Sequence, residues 1–305
     1  MYFTKLPDHS AKGFNETLHF SKFGKQNIVF DAESSRSACE RHVGCLSIKT
    51  VSHGKEWYSV GGREIAVRPG QFLILNNDQE YSCRINGPEK TKVVSVFFKN
   101  DFASEAYRDA LSTEEYSLEN PTVSDVSVPE FFQTLYPYNT NINEMLQRLV
   151  RALNNGEHYE NGALDDSFTL LLQELILLNH SEVLRSKTVT AIKRSTQSEI
   201  YRRLCIARDL LHSTFASKLD LSSISQVACL STPQLIRQFK AVFQTTPHQY
   251  LTRVRLEHAA QLLTHSDTSV NDITLQCGFE NTSAFCRSFR KQYGVQPTQY
   301  RMLRS

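Results

Sequence analysis

The 305-residue chain is long enough for two domains with separate cores, and its net charge of +2 hides an asymmetry. Residues 1–195 carry 21 Lys and Arg against 25 Asp and Glu, whereas residues 196–305 carry 13 against 7, so an anionic partner is expected at the C-terminal end. Seven scattered cysteines (Cys39, Cys45, Cys83, Cys205, Cys229, Cys277, Cys286) without a C-x-x-C pair argue against a disulfide framework or a zinc knuckle.

Met1–Phe20 intersperses Lys and Asp with no apolar core of a signal peptide. The most apolar run, Leu170–Leu178, is interrupted by Gln173 and Glu174 and is too short for a bilayer. A cytoplasmic protein with no membrane partner is expected.

From Val43 to Lys99 the pattern is that of short strands. Ile65 and Val67 alternate with Glu64 and Arg68, and Pro69-Gly70 marks a turn. Phe72–Leu75 and Val93–Phe98 are apolar runs set off by the turn clusters Asn76-Asn-Asp78 and Asn86-Gly-Pro88. Strands at this spacing predict a small antiparallel barrel or sandwich, and Val67–Tyr81 is similar to the turn-and-strand signature of cupin-type barrels. In enzymes of that class a His-x-His pair, a Glu and a later His converge on a metal. Here only His53 and Glu56 are available and Tyr81 takes the late position, so neither a metal nor a catalytic residue is expected. A barrel without metal can still enclose a small molecule. Trp57, Tyr58, Tyr81 and Arg84 could line such a pocket, although aromatic residues in strands are more often ordinary core, and no ligand residue is assigned.

Beyond Lys99 the period changes. Asn100 to Pro137 is mixed, with Pro121 and Pro129 as breakers. Ile142, Met145, Leu146, Leu149 and Leu153 share one face of a helix ended by Asn154-Asn-Gly156. A second helix from about Leu164 to Leu184 carries Phe168, Leu171, Leu172, Leu175, Ile176 and Leu178 on more than one stripe. A helix this apolar must be covered on two sides, by the barrel on both or by the barrel and a homodimer partner. Residues 186–198 have few large apolar side chains and are expected to be a linker between a regulatory and dimerisation domain, 1–185, and a helical domain, 199–305.

That helical domain contains one pattern written twice. Leu235, Arg237, Phe239, Lys240, Phe243, Pro247 and Tyr250 recur 50 positions later as Phe285, Arg287, Phe289, Arg290, Tyr293, Pro297 and Tyr300. The first copy reads as a short helix with Ile224, Val227 and Ala228, a turn at Cys229-Leu230-Ser231, and a second helix burying Leu235, Phe239 and Val242. Ser231 is a natural N-cap, and Pro233 suits a first turn, where its missing N–H costs nothing. In the second copy Gly278 stands where a tight turn wants positive φ, Phe279 plugs the corner, Asn281 or Thr282 caps, and Phe285 and Phe289 are buried. A long helix beginning at Pro247 joins the copies, with Leu256, Ala259, Ala260 and Leu263 on one face and His265–Ser269 at its end. Each copy is a helix-turn-helix whose free face is polar and basic.

Residues 221–301 resemble the DNA-binding domain of AraC/XylS-type transcription regulators. The resemblance is carried by Ala228–Lys240 and, more specifically, by Gly278–Gly294 with Pro297 and Tyr300-Arg301; Cys229 departs from the family, which usually has Gly there. It implies that the second helix of each copy enters the major groove of double-stranded promoter DNA. Thr232, Gln234, Ile236, Arg237, Thr282, Ser283, Cys286 and Arg287 are then the candidates to meet base edges, and Lys240, Arg290 and Lys291 to hold phosphate. A guanidinium at Arg237 or Arg287 can do either. With a rigid joining helix the two recognition helices would meet successive turns of the duplex, roughly 34 Å apart, over a site of about 20 base pairs.

The expected fold is therefore α+β in two domains, a cupin-like β-barrel with attached dimerisation helices followed by an all-α domain of two joined helix-turn-helix units. The resemblance implies a sequence-specific transcription activator, homodimeric, answering a small-molecule effector and working with RNA polymerase. Neither enzymatic activity nor a cofactor is expected. The alternatives are a metal-dependent cupin-type enzyme fused to a DNA-binding module, a DNA-repair fusion with a methyl-accepting cysteine, and a constitutive regulator without ligand.

Overall fold

Strand formation begins well before the stretch marked by alternation. The computed structural model describes residues 1–7, 9, 14–111, 129–137, 139–155, 163–191 and 193–304; Pro121 and Gly156, read above as breakers, lie outside them. The first compact unit, Met1–Leu184, is built on β1 (Tyr2–Phe3), β2 (Ile28–Val43), β3 (Ser47–His53), β4 (Glu56–Val60), β5 (Arg63–Val67), β6 (Gln71–Leu75), β7 (Glu80–Phe97) and β8 (Leu135–Pro137). Helices α1 (Glu16–Phe20), α2 (Asn100–Leu111), α3 (Thr140–Asn154) and α4 (Ala163–Ser186) accompany them.

The strands form one sheet in the order β1-β2-β7-β3-β6-β8, from which β4 branches to pair with β5 and β7. Among the described residues only the β1–β2 pair is parallel. The long β7 organises the rest. Its first part pairs with β4, its last part with β3, and β2 follows both. The cluster Asn86-Gly-Pro88 is not a turn between strands, as its composition suggests, but an irregularity within β7. Ser34 pairs with Thr91 and Arg36 with Asn86, so residues 87–90 stand out of register opposite Ser35. Pro88 has no N–H to give the ladder, and the extra residues let the strand bend.

Period-two alternation sorts the core into two layers. Phe72, Ile74, Val94 and Val96 face a helical layer in which Ile142, Leu146 and Leu149 of α3 meet Phe168, Leu171, Leu172 and Leu175 of α4. Leu73, Leu75 and Val93 point the other way, into a second cluster with Val51, Tyr58, Ile65 and Tyr81. Burial on both faces is why β6 reads as a continuous apolar run rather than an alternating one. Trp57 and Arg84, named above with Tyr58 and Tyr81 as possible pocket residues, pack instead on each other, with the guanidinium 5.7 Å from the ring centroid and paired to Glu64.

The second unit, Arg185–Ser305, is helical: α5 (Arg194–Ser213), α6 (Leu221–Val227), α7 (Thr232–Phe243), α8 (Pro247–His265), α9 (Val270–Gln276), α10 (Thr282–Tyr293) and α11 (Pro297–Arg304). The linker expected over 186–198 is largely structured. Helix α5 starts at Arg194, Val189 is buried, and buried Gln238 clamps Thr190 from both sides, its Oε1 accepting from the backbone N–H at 3.1 Å and its Nε2 donating to the carbonyl at 3.2 Å. Apolar content within 186–198 could not reveal this, because the anchoring side chain comes from α7.

Leu175 is fully buried between α4 and the sheet. Leu175→Ala should lower the stability of this unit by about 2–5 kcal/mol in urea unfolding. A loss below 1 kcal/mol would mean that α4 does not cover the sheet as described.

Candidate nucleic-acid interface

Each helix-turn-helix starts with a side chain that satisfies an orphan backbone N–H. Asp220 accepts from the Ser223 N–H at 2.7 Å, and Ser231 from that of Gln234 at 3.4 Å. In the second copy Ser269 accepts from Asp272 at 3.1 Å and Asn281, not Thr282, from Ala284 at 2.8 Å. Thr246 and Gln249 form a reciprocal capping box at the start of α8, immediately before Pro247. These local signals fix where the helices begin, and apolar spacing fixes which faces they bury. Leu235, Phe239 and Val242 of α7 and Phe285 and Phe289 of α10 point inward as expected.

The two turns reach the same left-handed backbone with different residues. Cys229 has φ 51° and Gly278 has φ 76°. Cys229 is exposed, and its carbonyl accepts from Arg203 Nη1 at 2.9 Å. Gly278 is packed so closely that a Cβ there would lie 2.7 Å from the Ala216 carbonyl oxygen. The loop it touches is held on both sides of Ala216 by Arg255 of α8, which donates to the carbonyls of Phe215 at 2.8 Å and Ser217 at 3.0 Å. The Phe215 ring stacks on His258, centroids 4.0 Å apart. The segment between α5 and α6 is thereby tied to both α8 and the second turn.

With the inner faces buried, the outer faces of α7 and α10 carry matched basic residues. Arg237 and Lys240 on α7 and Arg287, Arg290 and Lys291 on α10 are all exposed, and among the described residues none of these five cations is engaged in an ion pair. Ser283 is exposed beside them, while Gln234, Ile236 and Cys286 are half-buried at the flanks. Thr232 and Thr282 differ from the rest. Their hydroxyls already bond back to the preceding helix, Thr232 to Ser225 Oγ at 3.0 Å and Thr282 to Asn271 Oδ1 at 2.9 Å. Among the described residues no three His, Cys, Asp or Glu side chains could hold a metal ion, and no helix is long and apolar enough to cross a membrane. His53 lies exposed, 3.8 Å from Glu89, whereas Glu56 is buried and accepts a hydrogen bond from Tyr58 at 2.6 Å.

Comparison with known proteins bears on this geometry. A family profile described as a helix-turn-helix domain matches residues 224–302. A crystal structure of an AraC-type transcriptional regulator from Chromobacterium violaceum is 28% identical, covering 37% of this chain and 97% of that one with a TM-score of 0.33. The probable transcriptional regulator LumQ of Photobacterium leiognathi is 26% identical over 252 residues, 81% of this chain and 85% of LumQ. The transcriptional activator RhaS of Citrobacter koseri is 30% identical over 291 residues, 93% of this chain and 95% of RhaS. The chain belongs to the AraC/XylS family of transcription regulators. It is a DNA-binding regulator, and the comparisons give a cupin-type enzyme fused to a DNA module no support.

In this AraC/XylS regulator the duplication extends further than the pattern read from the sequence. Leu204, Ala207 and Leu211 of α5 correspond, at an offset of 52, to Leu256, Ala259 and Leu263 of α8, and all six are buried. Arg203 and Arg255 are the corresponding anchors, and no local sequence pattern marks them because their partners are backbone carbonyls distant in sequence.

Gly278→Ala should destabilise the helical unit by more than about 1 kcal/mol, since it combines a disfavoured φ with a backbone clash. Cys229→Gly should change stability by less than about 1 kcal/mol. Thermal unfolding of the two variants compares them, and equal effects would contradict the packing at Ala216.

Proposed function

We propose that this regulator is a promoter-bound activator whose two recognition helices, α7 and α10, enter successive major grooves about 34 Å apart on one face of the duplex, covering about 20 base pairs. The matched, unpaired cations on the two outward faces are the observation that carries this reading. A phosphate lattice supplies the missing counter-charge, and affinity should fall steeply with salt. Within the pair of faces, Arg237 and Arg287 have the length and two-donor fork to read guanine. Gln234, Ile236, Ser283 and Cys286 would tune sequence choice from the flanks, and Lys240, Arg290 and Lys291 would hold phosphate. Thr232 and Thr282 fit better as supports of the turn than as base readers, because their hydroxyls are already engaged. Activation is supported by the likeness to the transcriptional activator RhaS; RNA polymerase as partner and the cytoplasm as setting complete the reading.

The N-terminal unit is proposed as a cupin-like sensory and dimerising half. Support for a dimer comes from α4, where Leu170, Leu177 and Leu184 repeat every seventh residue at 52%, 64% and 48% exposure, opposite the face that packs on the sheet. A seven-residue stripe on an otherwise polar face suits the same stripe of a second copy. An effector would shift the DNA-binding population by its different affinity for the two arrangements of the dimer.

Two experiments follow. Arg287→Ala should weaken binding to the specific target by about 1–3 kcal/mol while leaving non-specific binding nearly unchanged, and Lys291→Ala should weaken both alike. Titration by fluorescence anisotropy checks this, and equal losses on all sequences for Arg287→Ala would move that residue to the phosphate set. Leu177→Glu should shift the sedimenting species from dimer to monomer without loss of helix content; a monomeric wild type would overturn the α4 interface.

A further inference from the structure

Cys39 of β2 and Cys83 of β7 are direct partners in the antiparallel ladder. Opposed residues share one face with Cα atoms about 4.5–5.5 Å apart. A disulfide spans about 4.4–6.8 Å between Cα atoms, so the backbone already has the required spacing. Immediately beyond this pair β2 bulges. Glu40 and Arg41 stand against Ser82 alone before His42 meets Tyr81. In a regular strand Cys39 and His42, an odd number of residues apart, would point to opposite faces. The extra residue re-aims His42 onto the face of Cys39. Its Nδ1 lies 3.3 Å from Cys39 Sγ and 2.9 Å from the Glu40 carbonyl, and its ring is held between Phe20, 4.2 Å away, and Tyr81, 4.3 Å away. With a proton on Nδ1, His42 donates to both the carbonyl and the sulfur.

Both sulfurs open on a cavity of about 60 Å³. Besides the two cysteines, the titratable groups around it are His9, His19, His42, Lys49, Glu56, Tyr58 and Tyr81. The two thiols divide their proton unequally. Cys39 is pulled down to about 5 by the hydrogen bond from Cys83 and by His42, against the effect of burial. Cys83 is pushed well above the usual thiol range by the same hydrogen bond and by burial. A thiolate therefore faces a protonated thiol across the ladder, beside a partly open space that admits a small oxidant.

We propose that Cys39 and Cys83 are a peroxide-oxidised dithiol, Cys39 the attacking thiolate and Cys83 the resolving thiol, which closes a disulfide between β2 and β7. Cys39 Sγ attacks one oxygen of hydrogen peroxide. The S–O bond forms as the O–O bond breaks, and the departing hydroxide takes up the proton that Cys39 had released, leaving a sulfenic acid and water. The Cys83 sulfur then attacks Cys39 Sγ, the S–S bond forms as the S–O bond breaks, and the oxygen leaves as a second water with the Cys83 proton. Two electrons pass from the sulfur pair to the peroxide. In a reducing compartment such a bridge is transient and signals oxidation. Its regulatory consequence rests on the reading of this unit as the sensory half, whereas the chemistry does not.

The test uses the full chain and needs no DNA, so its failure leaves the DNA-binding reading intact. After one equivalent of hydrogen peroxide, peptide mapping should recover the Cys39 and Cys83 peptides joined, and dithiothreitol should separate them. At pH 5.5 iodoacetamide should modify Cys39 about ten-fold faster than a model cysteine peptide, the larger thiolate fraction outweighing its weaker nucleophilicity. Cys83→Ser should stop the reaction at a Cys39 sulfenic acid that dimedone captures. Recovery of both cysteines as free thiols after peroxide, or a Cys39 no faster than the peptide, would overturn the proposal.

Discussion

The close approach of Gly278 to the backbone of Ala216 is the contact on which the helical unit depends. It leaves no space for a Cβ, and Arg255 and His258 hold the same loop from α8. A loop that precedes the first helix-turn-helix is thus fixed to the turn of the second and to the helix joining them. Close-packed contacts of this kind transmit position rather than permit sliding. Rigid coupling of the two copies is what would let one chain engage two grooves in a fixed register, because a flexible joint would lose the orientation of the second helix each time the first one bound.

The copies are alike in architecture and unequal in detail. Both are a short helix, a turn and a second helix capped by a short polar side chain, and both turn through a left-handed residue. Gly278 is irreplaceable there because backbone crowds it, whereas the exposed Cys229 occupies its strained φ without a clash. The departure of Cys229 from the family pattern therefore leaves the first unit's fold unaltered. Arg203, bonded to its carbonyl, holds that turn to α5 much as Arg255 holds the loop to α8.

Whether a feature was legible in the sequence followed from the range of the interactions that create it. Ser231, Pro233, Gly278 and Asn281 act on neighbours within a few residues, and the apolar spacing of Leu235, Phe239, Phe285 and Phe289 repeats at helical period, so both helix-turn-helix units could be read directly. Strand β2 is not legible in the sequence because Glu33–Arg41 lies mostly at the surface with no apolar alternation, and its ladder with β7 is what makes it a strand. Asn86-Gly-Pro88 has turn composition, yet the pairing on either side of it makes it an irregularity within one strand. The same limit hid the Cys39–Cys83–His42 constellation, which needs both the register of two strands and a bulge in one of them. Among the outward residues of α7 and α10, sequence supplied the right faces but could not show that Thr232 and Thr282 spend their hydroxyls on the preceding helix.

The two halves thus divide chemistry from recognition, a β-rich unit with a reactive thiol pair and a helical unit with paired basic faces. The claim joining these observations is that one chain presents both recognition helices at once. Hydroxyl-radical footprinting of a target fragment with the full-length protein tests it most directly. The account predicts, for each protomer, two protected patches one helical turn apart on the same side of the duplex; protection of a single groove, or of two patches on opposite sides, would contradict it.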